Sequence, residues 1–375
     1  MLASLLATAG NVLYVMKGAQ MSTNEWPDSK WEPEEIIEGL WRLRTPMTSE
    51  ALPWVFAYLF KTSDGLALFD SGHGTTKAQT ALKAQVEGLG FMMGDIHSLM
   101  ISHAHPDHLG MAGWIKELAP DCRIMMIDVE ADWYSDNGRG SQNWVQQNSL
   151  WMIRHGVSES EILAEGKVFN KENDVGDSGD RDRSWFSSKI NPDVLLQDTD
   201  LIEIGNWSLQ ALWTPGHTPG HLCVYIPNHD LLLTGDHVLG RITPNVSMSP
   251  DDEHSGRDPL TEFLESLEKI GQYKTSVGLP AHEKLIPELS ARCSELIEHH
   301  ANRCAEVMAG IGESRQASAS DISSRVTWNK PFAGFSIFKK RMALGETLAH
   351  LHYLEGRGEV ESHADQATAI TWSLT

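Results

Sequence analysis

Hydrophobic and polar residues follow one another along the first half of this chain in a pattern typical of β-strands. The apolar stretch at 54–70, WVFAYLFKTSDGLALFD, has a turn signal at Asp64 and Gly65 and predicts two strands joined there. Short apolar runs at 98–102 and 123–129 predict two further buried strands.

The second half of the chain repeats this β-rich pattern and then becomes helical. Strand-like runs LIEI and SLQALW come first, and LCVYI and LLLTGD are joined by the turn PNHD as a predicted hairpin. Residues 259–271 have helical spacing, and TSVGL predicts another strand. From about 288 the pattern is mostly helical, with a final strand in ATAITWSL. Two β-rich halves with helices between them predict a layered α/β sandwich with a site along one edge.

Residues 131–196 differ from both halves and predict an inserted cap. The segment contains several tryptophans, a helical NSLWMIRHG and a polar run at 170–184 that predicts a loop. Trp144 and Trp151 are seven positions apart and share a helical face. They either line an apolar substrate pocket or pin the helices to the sandwich, and the spacing fits both interpretations.

Composition and charge restrict the classes of partner. The chain has 375 residues, with 51 acidic and 30 Lys and Arg residues and a formal charge of −21. Such a chain repels phosphate backbones and anionic lipid, so we expect neither nucleic acid nor a membrane as a partner. Its four cysteines form no CxxC pair, which favours a reducing, cytoplasmic location. Residues 1–30 are predicted to be an N-terminal extension, whose apolar run is too short to span a bilayer.

The stretch MISHAHPDHLGMAGW, residues 100–114, carries the densest chemistry of the chain. His103 and His105 are two apart on an extended segment, so their side chains can point the same way. Pro106 is tolerated at a helix start, which would place Asp107 and His108 on the first helical turn. A strand end and a helix start can thus present ligands to two neighbouring metal ions.

Further ligand-type residues follow other predicted strands. His217 lies in WTPGHTPGH, Asp236 ends LLLTGD, and His282 follows VGLP. Strand ends are where open sites form in layered α/β folds. These residues are therefore candidate partners of the histidine cluster.

Together these residues resemble the metallo-β-lactamase superfamily over about residues 40–287. The resemblance depends on Asp70 in FDSG, on SHAHPDH, and on the three strand-end residues, in the family's order. It implies an αββα sandwich. It implies a first metal bound by His103, His105 and His217. It implies a second bound by Asp107, His108 and His282, with Asp236 bridging the two. Asp70 would hold the ligand loop, and His221 and His237 would have supporting or packing roles.

The implied chemistry is hydrolysis. Imidazole and carboxylate ligands suit two zinc ions, and also iron or manganese. Two such ions can hold a bridging hydroxide as nucleophile, with Asp107 and Asp236 as the catalytic carboxylates. The expected substrate is a small, fairly apolar molecule with a lactone, ester, thioester, amide or activated carbon–halogen bond. The alternatives are a metal-dependent nuclease and a mononuclear iron sulfur dioxygenase.

The tail after residue 288 resembles the winged-helix appendage of one branch, the lactamase-beta-like hydrolases. FKKRMALGETLAHLHYLEGRGEVE predicts a helix, a turn and the start of a wing. Lys339, Lys340 and Arg341 form a basic cluster, but 288–375 contains 9 basic and 11 acidic residues. Packing against the catalytic domain or a second subunit of a homodimer is therefore favoured over nucleic-acid binding. The predicted domains are the extension, a catalytic domain at 31–287 with its cap at 131–196, and a winged-helix-like domain at 288–375.

Overall fold

The computed structural model describes residues 32–47, 52–136, 142–163, 190–312, 316–365 and 369–375. Within these ranges, the side chains of 136 and 142–145 are not described. The predicted N-terminal extension and the polar run at 170–184 lie outside the described residues.

Two sheets form the centre of the molecule. The first has seven strands in sequential order. They are β1 (Glu34–Ile37), β2 (Leu40–Pro46), β3 (Trp54–Lys61), β4 (Leu66–Phe69), β5 (Ile96–Met100), β6 (Arg123–Ile127) and β7 (Val194–Leu196). Strands β1 to β4 are antiparallel neighbours, whereas β4 to β7 pair in parallel.

The second sheet has five strands in the order β12-β11-β10-β9-β8. They are β8 (Leu201–Ile204), β9 (Trp207–Trp213), β10 (Leu222–Ile226), β11 (Leu231–Gly235) and β12 (Val277–Pro280). The predicted hairpin of β10 and β11 is confirmed, with Ile226 opposite Leu231. Among the described strands of this sheet, β11 and β12 pair in parallel and the other neighbours are antiparallel.

Side-chain alternation along the strands explains the layering. In β3, Phe56, Tyr58 and Phe60 face the second sheet and pack with its strands in one core. Ala57 and Leu59 point the opposite way, into a core shared with outer helices. The outer face of the second sheet packs on another set of helices. The predicted αββα sandwich is confirmed.

The helices cover both outer faces. They are α1 (Thr76–Gly88), α2 (Pro106–Leu109), α3 (Ala112–Leu118), α4 (Asp128–Asp136), α5 (Gln142–Arg154), α6 (Pro250–Ser255), α7 (Pro259–Gly271), α8 (Leu289–Ile311), α9 (Ala319–Arg325) and α10 (Ile337–Gly356). Helix α7 has the predicted bounds because Asp258 caps its N-terminus and Pro259 takes its first position. None of the helices in the described ranges is both long and apolar enough to cross a bilayer.

The structure differs from the sequence pattern at the edges of the cap. The strand predicted at 123–129 ends at Ile127, and α4 begins at the next residue. Strand β7, inside the predicted cap range, pairs with β6 and so belongs to the first sheet. Its three residues have too little pattern to be detected from sequence. Part of the predicted cap is therefore a strand of the sandwich.

The C-terminal region contains α8, α9 and α10 and a small three-stranded sheet. Its strands are β13 (Ala317–Ser318), β14 (Val360–His363) and β15 (Thr371–Leu374), in the order β13-β15-β14. Its buried side chains join the same core as the outer face of the second sheet. The resemblance to a winged helix stays a prediction, as do the domain boundaries.

Candidate metal centre

The ends of five strands lie at one edge of the sandwich. Strands β4 and β5 are parallel, and so are β11 and β12. Strand β9 runs in the direction of β11 because both are antiparallel to β10. The ligand-type residues that follow these strands are Asp70, His103, His217, Asp236 and His282. Parallel strands thus gather side chains that are far apart in sequence.

A tight turn after β5 presents the other candidate ligands. His105 is the residue before α2, and Pro106 occupies the first helical position, as predicted. Pro106 fits there because its fixed φ suits the first helical turn and its missing N–H would have no partner inside the helix. Asp107 and His108 therefore point from the helix start towards the same edge as His103.

Three histidine nitrogens converge in what we call the first group: His103, His105 and His217. His103 Nε2 lies 2.8 Å from His105 Nδ1, and His217 Nε2 lies 3.1 Å from His105 Nδ1 and 3.3 Å from His103 Nε2. Three ring nitrogens in mutual contact cannot form a hydrogen bond in every pair, because each nitrogen is either a donor or an acceptor. Nitrogens at about 2.0–2.1 Å from a tetrahedral zinc ion would be separated by similar distances. The first group fits a metal cation.

The second group contains two carboxylates and two imidazoles: Asp107, His108, Asp236 and His282. Asp107 Oδ2 lies 3.3 Å from His282 Nε2 and 3.6 Å from His108 Nε2. His108 Nε2, His282 Nε2 and Asp236 Oδ1 are buried without a hydrogen-bond partner among the described residues. Buried polar atoms rarely stay unpaired, so these atoms fit a second cation.

The carboxylate of Asp236 lies between the two groups. Its Oδ2 is 3.5 Å from His108 Nε2 and 3.8 Å from His217 Nε2 of the first group, while its Oδ1 is 3.4 Å from His282 Nε2. One side chain can therefore contact a cation on either side.

The second ring nitrogens of His108 and His103 are held by Asp70 and Ser102. Asp70 Oδ2 accepts from His108 Nδ1 at 2.7 Å and from the Ser102 hydroxyl at 2.8 Å. The Ser102 hydroxyl also lies 2.9 Å from His103 Nδ1, and its backbone N–H donates to Asp70 Oδ1 at 2.7 Å. Such outer contacts fix the ring orientation and leave the other nitrogen for a metal.

Two backbone carbonyls do the same for two more of the candidate ligands, His217 and His282. His217 Nδ1 donates to the carbonyl of Asn245 at 2.7 Å, and His282 Nδ1 donates to that of Trp54 at 2.8 Å. In both rings, Nε2 therefore points towards the ligand groups.

Replacing Asp70 by alanine is expected to weaken metal binding and to slow turnover by about 10–100-fold, the usual cost of losing an outer partner. The carboxylate is fully buried and holds Ser102 and His108, so its loss loosens two ligand-bearing positions. Metal titration and steady-state kinetics measure the effect. Wild-type affinity and rate in Asp70→Ala would show that this carboxylate does not support the ligands.

The structure places His221 and His237 outside both groups. His221 Nδ1 contacts the Thr214 hydroxyl at 2.9 Å, and its Nε2 accepts the backbone N–H of Asp236 at 3.1 Å. It therefore orients the chain at Asp236. His237 is buried against the ring of Phe263, with centroids 4.6 Å apart, and its burial lowers its pKa to about 3. It packs as a neutral ring.

Glu130, which the sequence pattern did not single out, joins the two segments that supply the first group. Its side chain is fully buried. One carboxylate oxygen accepts from the N–H of Ala104, between His103 and His105, at 2.7 Å, and the other from the N–H of Gly220 at 2.8 Å. A Cβ at position 220 would lie 2.2 Å from the Glu130 nitrogen, so this approach requires glycine. Sequence alone could not show that helix α4 brings Glu130 to this edge.

The two tryptophans proposed for a substrate pocket have different outcomes. The side chain of Trp144 lies outside the described residues. Trp151 is buried, donates its indole N–H to Glu253 at 2.8 Å, and packs edge-on against His155. It borders a cleft of about 660 Å³ between α5 and α6 that none of the candidate ligands lines. Trp151 therefore packs against its neighbours, and its proposed contact with a substrate stays a prediction.

The two groups differ in the pKa values of their histidines. Burial lowers the pKa of His282, but Asp236 and Asp107 outweigh it and raise that pKa to about 10. Burial also lowers the pKa of His108, but the nearby carboxylates, Asp107 most strongly, outweigh burial and raise that pKa well above its usual value. Burial, with neighbouring imidazoles, holds the pKa of His103 well below its usual value, and burial lowers the pKa of His217. At neutral pH the second group therefore carries protons, and these two histidines of the first group do not.

Zinc added to the metal-free protein near pH 7 is expected to release protons when it binds the second group, but few when it binds the first. A cation needs the neutral imidazole, so it must displace the protons of His108 and His282. Calorimetric titration in buffers of different ionisation enthalpy measures the release. Equal release for both ions would contradict these assignments.

In the metal-free protein, protonated His282 stabilises the fold fully below pH 6.5, and this contribution is lost as the pH rises through about 10.

Comparisons with known sequences find a matching family and relatives of this chain. The sequence model described as the metallo-beta-lactamase superfamily matches residues 55–282, more than half of the chain. YqjP of Bacillus subtilis, described as a probable metallo-hydrolase, is 23% identical over 341 residues, covering 87% of this chain and 95% of that protein. The lactamase-like protein adaB of Aspergillus niger is 25% identical over 185 residues, covering 48% of this chain and 55% of its own length.

Solved structures show the same fold. A metallo-beta-lactamase family protein of Thermus thermophilus has a TM-score of 0.73 at 25% identity, covering 91% of this chain and all of that one. A beta-lactamase domain protein of Burkholderia ambifaria has a TM-score of 0.77 at 22% identity, covering 94% and 96%. The likeness therefore extends beyond the 228 residues of the family match. The chain belongs to the metallo-beta-lactamase superfamily and is a metallo-hydrolase of that superfamily.

Proposed function

We propose that the chain is a dinuclear hydrolase of small, fairly apolar molecules. The first group would hold one divalent ion, the second group another, and Asp236 would bridge them. The observation that carries the proposal is the position of the Asp236 carboxylate between two buried ligand groups. Zinc suits these nitrogen and carboxylate ligands best, with iron or manganese as alternatives.

Bound there, two such ions would lower the pKa of water and polarise the electrophilic centre of a substrate. The residues of this chain supply the rest. Asp107 and Asp236 provide the negative charge of the second group. The buried histidines exclude bulk water, and their outer hydrogen bonds hold each ring in place. Since no other nucleophile is needed, we propose a lactone, ester, thioester, amide or activated carbon–halogen bond as the target.

Charge supports a small molecule over a nucleic acid. The chain carries a net charge of −21, and two members of its basic cluster are bound within the protein. Lys340 pairs with Glu161 at 2.6 Å, and the Arg341 guanidinium donates to Asn148 at 2.9 Å. These contacts hold α10 against the cap and leave few cations for phosphates.

A panel of lactone, ester, thioester, amide and halogenated substrates tests this proposal, with single-stranded RNA and DNA beside them. We expect metal-dependent turnover of at least one small-molecule class and no appreciable nucleic-acid cleavage at physiological salt. The variant with Lys339, Lys340 and Arg341 neutralised should keep its small-molecule turnover, because α10 remains joined to the segment after β11 by the hydrogen bond from the Met248 N–H to the Gly345 carbonyl. Salt-sensitive nucleic-acid cleavage that this variant loses would make the protein a nuclease.

A further inference from the structure

We propose that the C-terminal helices α8 and α10 are part of the support of the metal centre, with Arg292 and Gly345 as positioning residues. Both hold the segment between β11 and α6, residues 236–249, which we call the 236–249 loop. This inference rests on the proposed function because it assigns the loop a role in keeping His217 and Asp236 in place.

The 236–249 loop carries two parts of the centre but has no helix or strand of its own. It begins with Asp236, and its Asn245 carbonyl accepts from His217 Nδ1 at 2.7 Å. The orientation of His217 therefore depends on where the backbone at Asn245 lies. Without strand pairing, other parts of the protein must hold that backbone.

Helix α10 holds the loop on the C-terminal side of Asn245. The carbonyl of Gly345 accepts from the N–H of Met248 at 3.0 Å. A Cβ at position 345 would lie 2.0 Å from the Ser247 hydroxyl oxygen and 2.8 Å from the Met248 carbonyl oxygen. Glycine in a helix interior is ordinarily less stable than alanine, so this close approach explains its presence. An added methyl group would push residues two and three positions from Asn245.

Helix α8 holds the loop on the other side of Asn245. Arg292 Nε donates to the carbonyl of Leu239 at 2.8 Å, and its Nη2 donates to those of Arg241 and Ile242 at 3.0 and 2.9 Å. A single guanidinium thus binds three carbonyls of irregular backbone, which suits its planar array of donors. The backbone carrying Asn245 is held on both sides by the C-terminal region.

The first test compares Gly345→Ala with Gly356→Ala in the full chain. The two glycines lie in the same helix, and a Cβ at Gly356 would meet no atom within 4 Å. Titration of the metal-free proteins with zinc measures affinity, and the visible absorption of the cobalt-substituted proteins reports the ligand geometry. We expect Gly345→Ala to bind the first ion about 10-fold more weakly and to change the cobalt spectrum. Gly356→Ala should match wild type.

The second test removes the Arg292 guanidinium and keeps its aliphatic stem, in Arg292→Met. The matched control is Arg303→Met. Arg303 also lies on α8, but the partners it has among the described residues are C-terminal ones: Glu306, Thr327, Trp328 and Glu346. We expect Arg292→Met to weaken zinc binding more than Arg303→Met at equal thermal stability. This pair decides the matter if Gly345→Ala does not fold.

The outcomes separate this inference from the proposed function. If the wild-type chain binds fewer than two zinc ions, the dinuclear proposal fails. If wild type binds two ions, and Gly345→Ala and Arg292→Met bind them with the affinity and cobalt spectrum of their controls, the C-terminal helices do not position the centre.

Discussion

Asp236→Ala is expected to abolish hydrolysis. The loss of rate should be far larger than the roughly 10–100-fold cost of removing a residue that only hydrogen-bonds to a metal ligand. The Asp236 carboxylate lies within 3.8 Å of imidazoles from both ligand groups, so its removal would take a ligand from both of the proposed ions. It also removes one of the two carboxylate charges that raise the pKa of His282 to about 10. Metal analysis should then find fewer than two ions retained, and steady-state kinetics should find activity near background.

The matched control for this variant is Asp121→Ala, at an exposed position away from the centre. Circular dichroism of both variants should match wild type, because the backbone N–H of Asp236 still reaches His221. Activity of Asp236→Ala within tenfold of wild type would mean that no bridging carboxylate is needed.

Asp107→Ala is expected to remove the second ion, to leave the first, and to lower the rate by several orders of magnitude. Burial by itself would raise the pKa of Asp107, but His108 and His282 outweigh it and hold that pKa below its usual range. The side chain is therefore an anion that serves the second group alone. The first group keeps its three histidine nitrogens, so one ion per chain should remain.

Metal analysis together with kinetics on Asp107→Ala tests this second prediction, and Asp121→Ala again serves as the control. Retention of both ions would show that Asp107 is not a ligand. Full activity with a single ion would favour a mononuclear enzyme, including the iron-dependent alternative.

Sequence predicted the elements whose signals are local. Helix α7 begins at a capping Asp258 and a Pro259, and both signals are contained in the chain itself. The candidate ligands could likewise be identified, because each follows an apolar strand and strand ends meet at one edge.

The supports of the centre could not be predicted because they depend on contacts between distant segments. The carbonyl of Trp54 bonds to a histidine 228 positions away, and that of Asn245 to one 28 positions away. Every residue has a carbonyl, so no residue type marks these two. Glu130 could not be predicted for the same reason, since its two partners are backbone N–H groups that are brought together by the fold.

The number of metal ions per active chain tests the central claim most directly. Metal-free protein is titrated with zinc while bound metal and hydrolysis of the best small substrate are followed together. The two ligand groups predict that activity rises with the second equivalent and is complete at two ions per chain. Full activity at one ion per chain, with no further gain on saturation, would contradict a dinuclear centre.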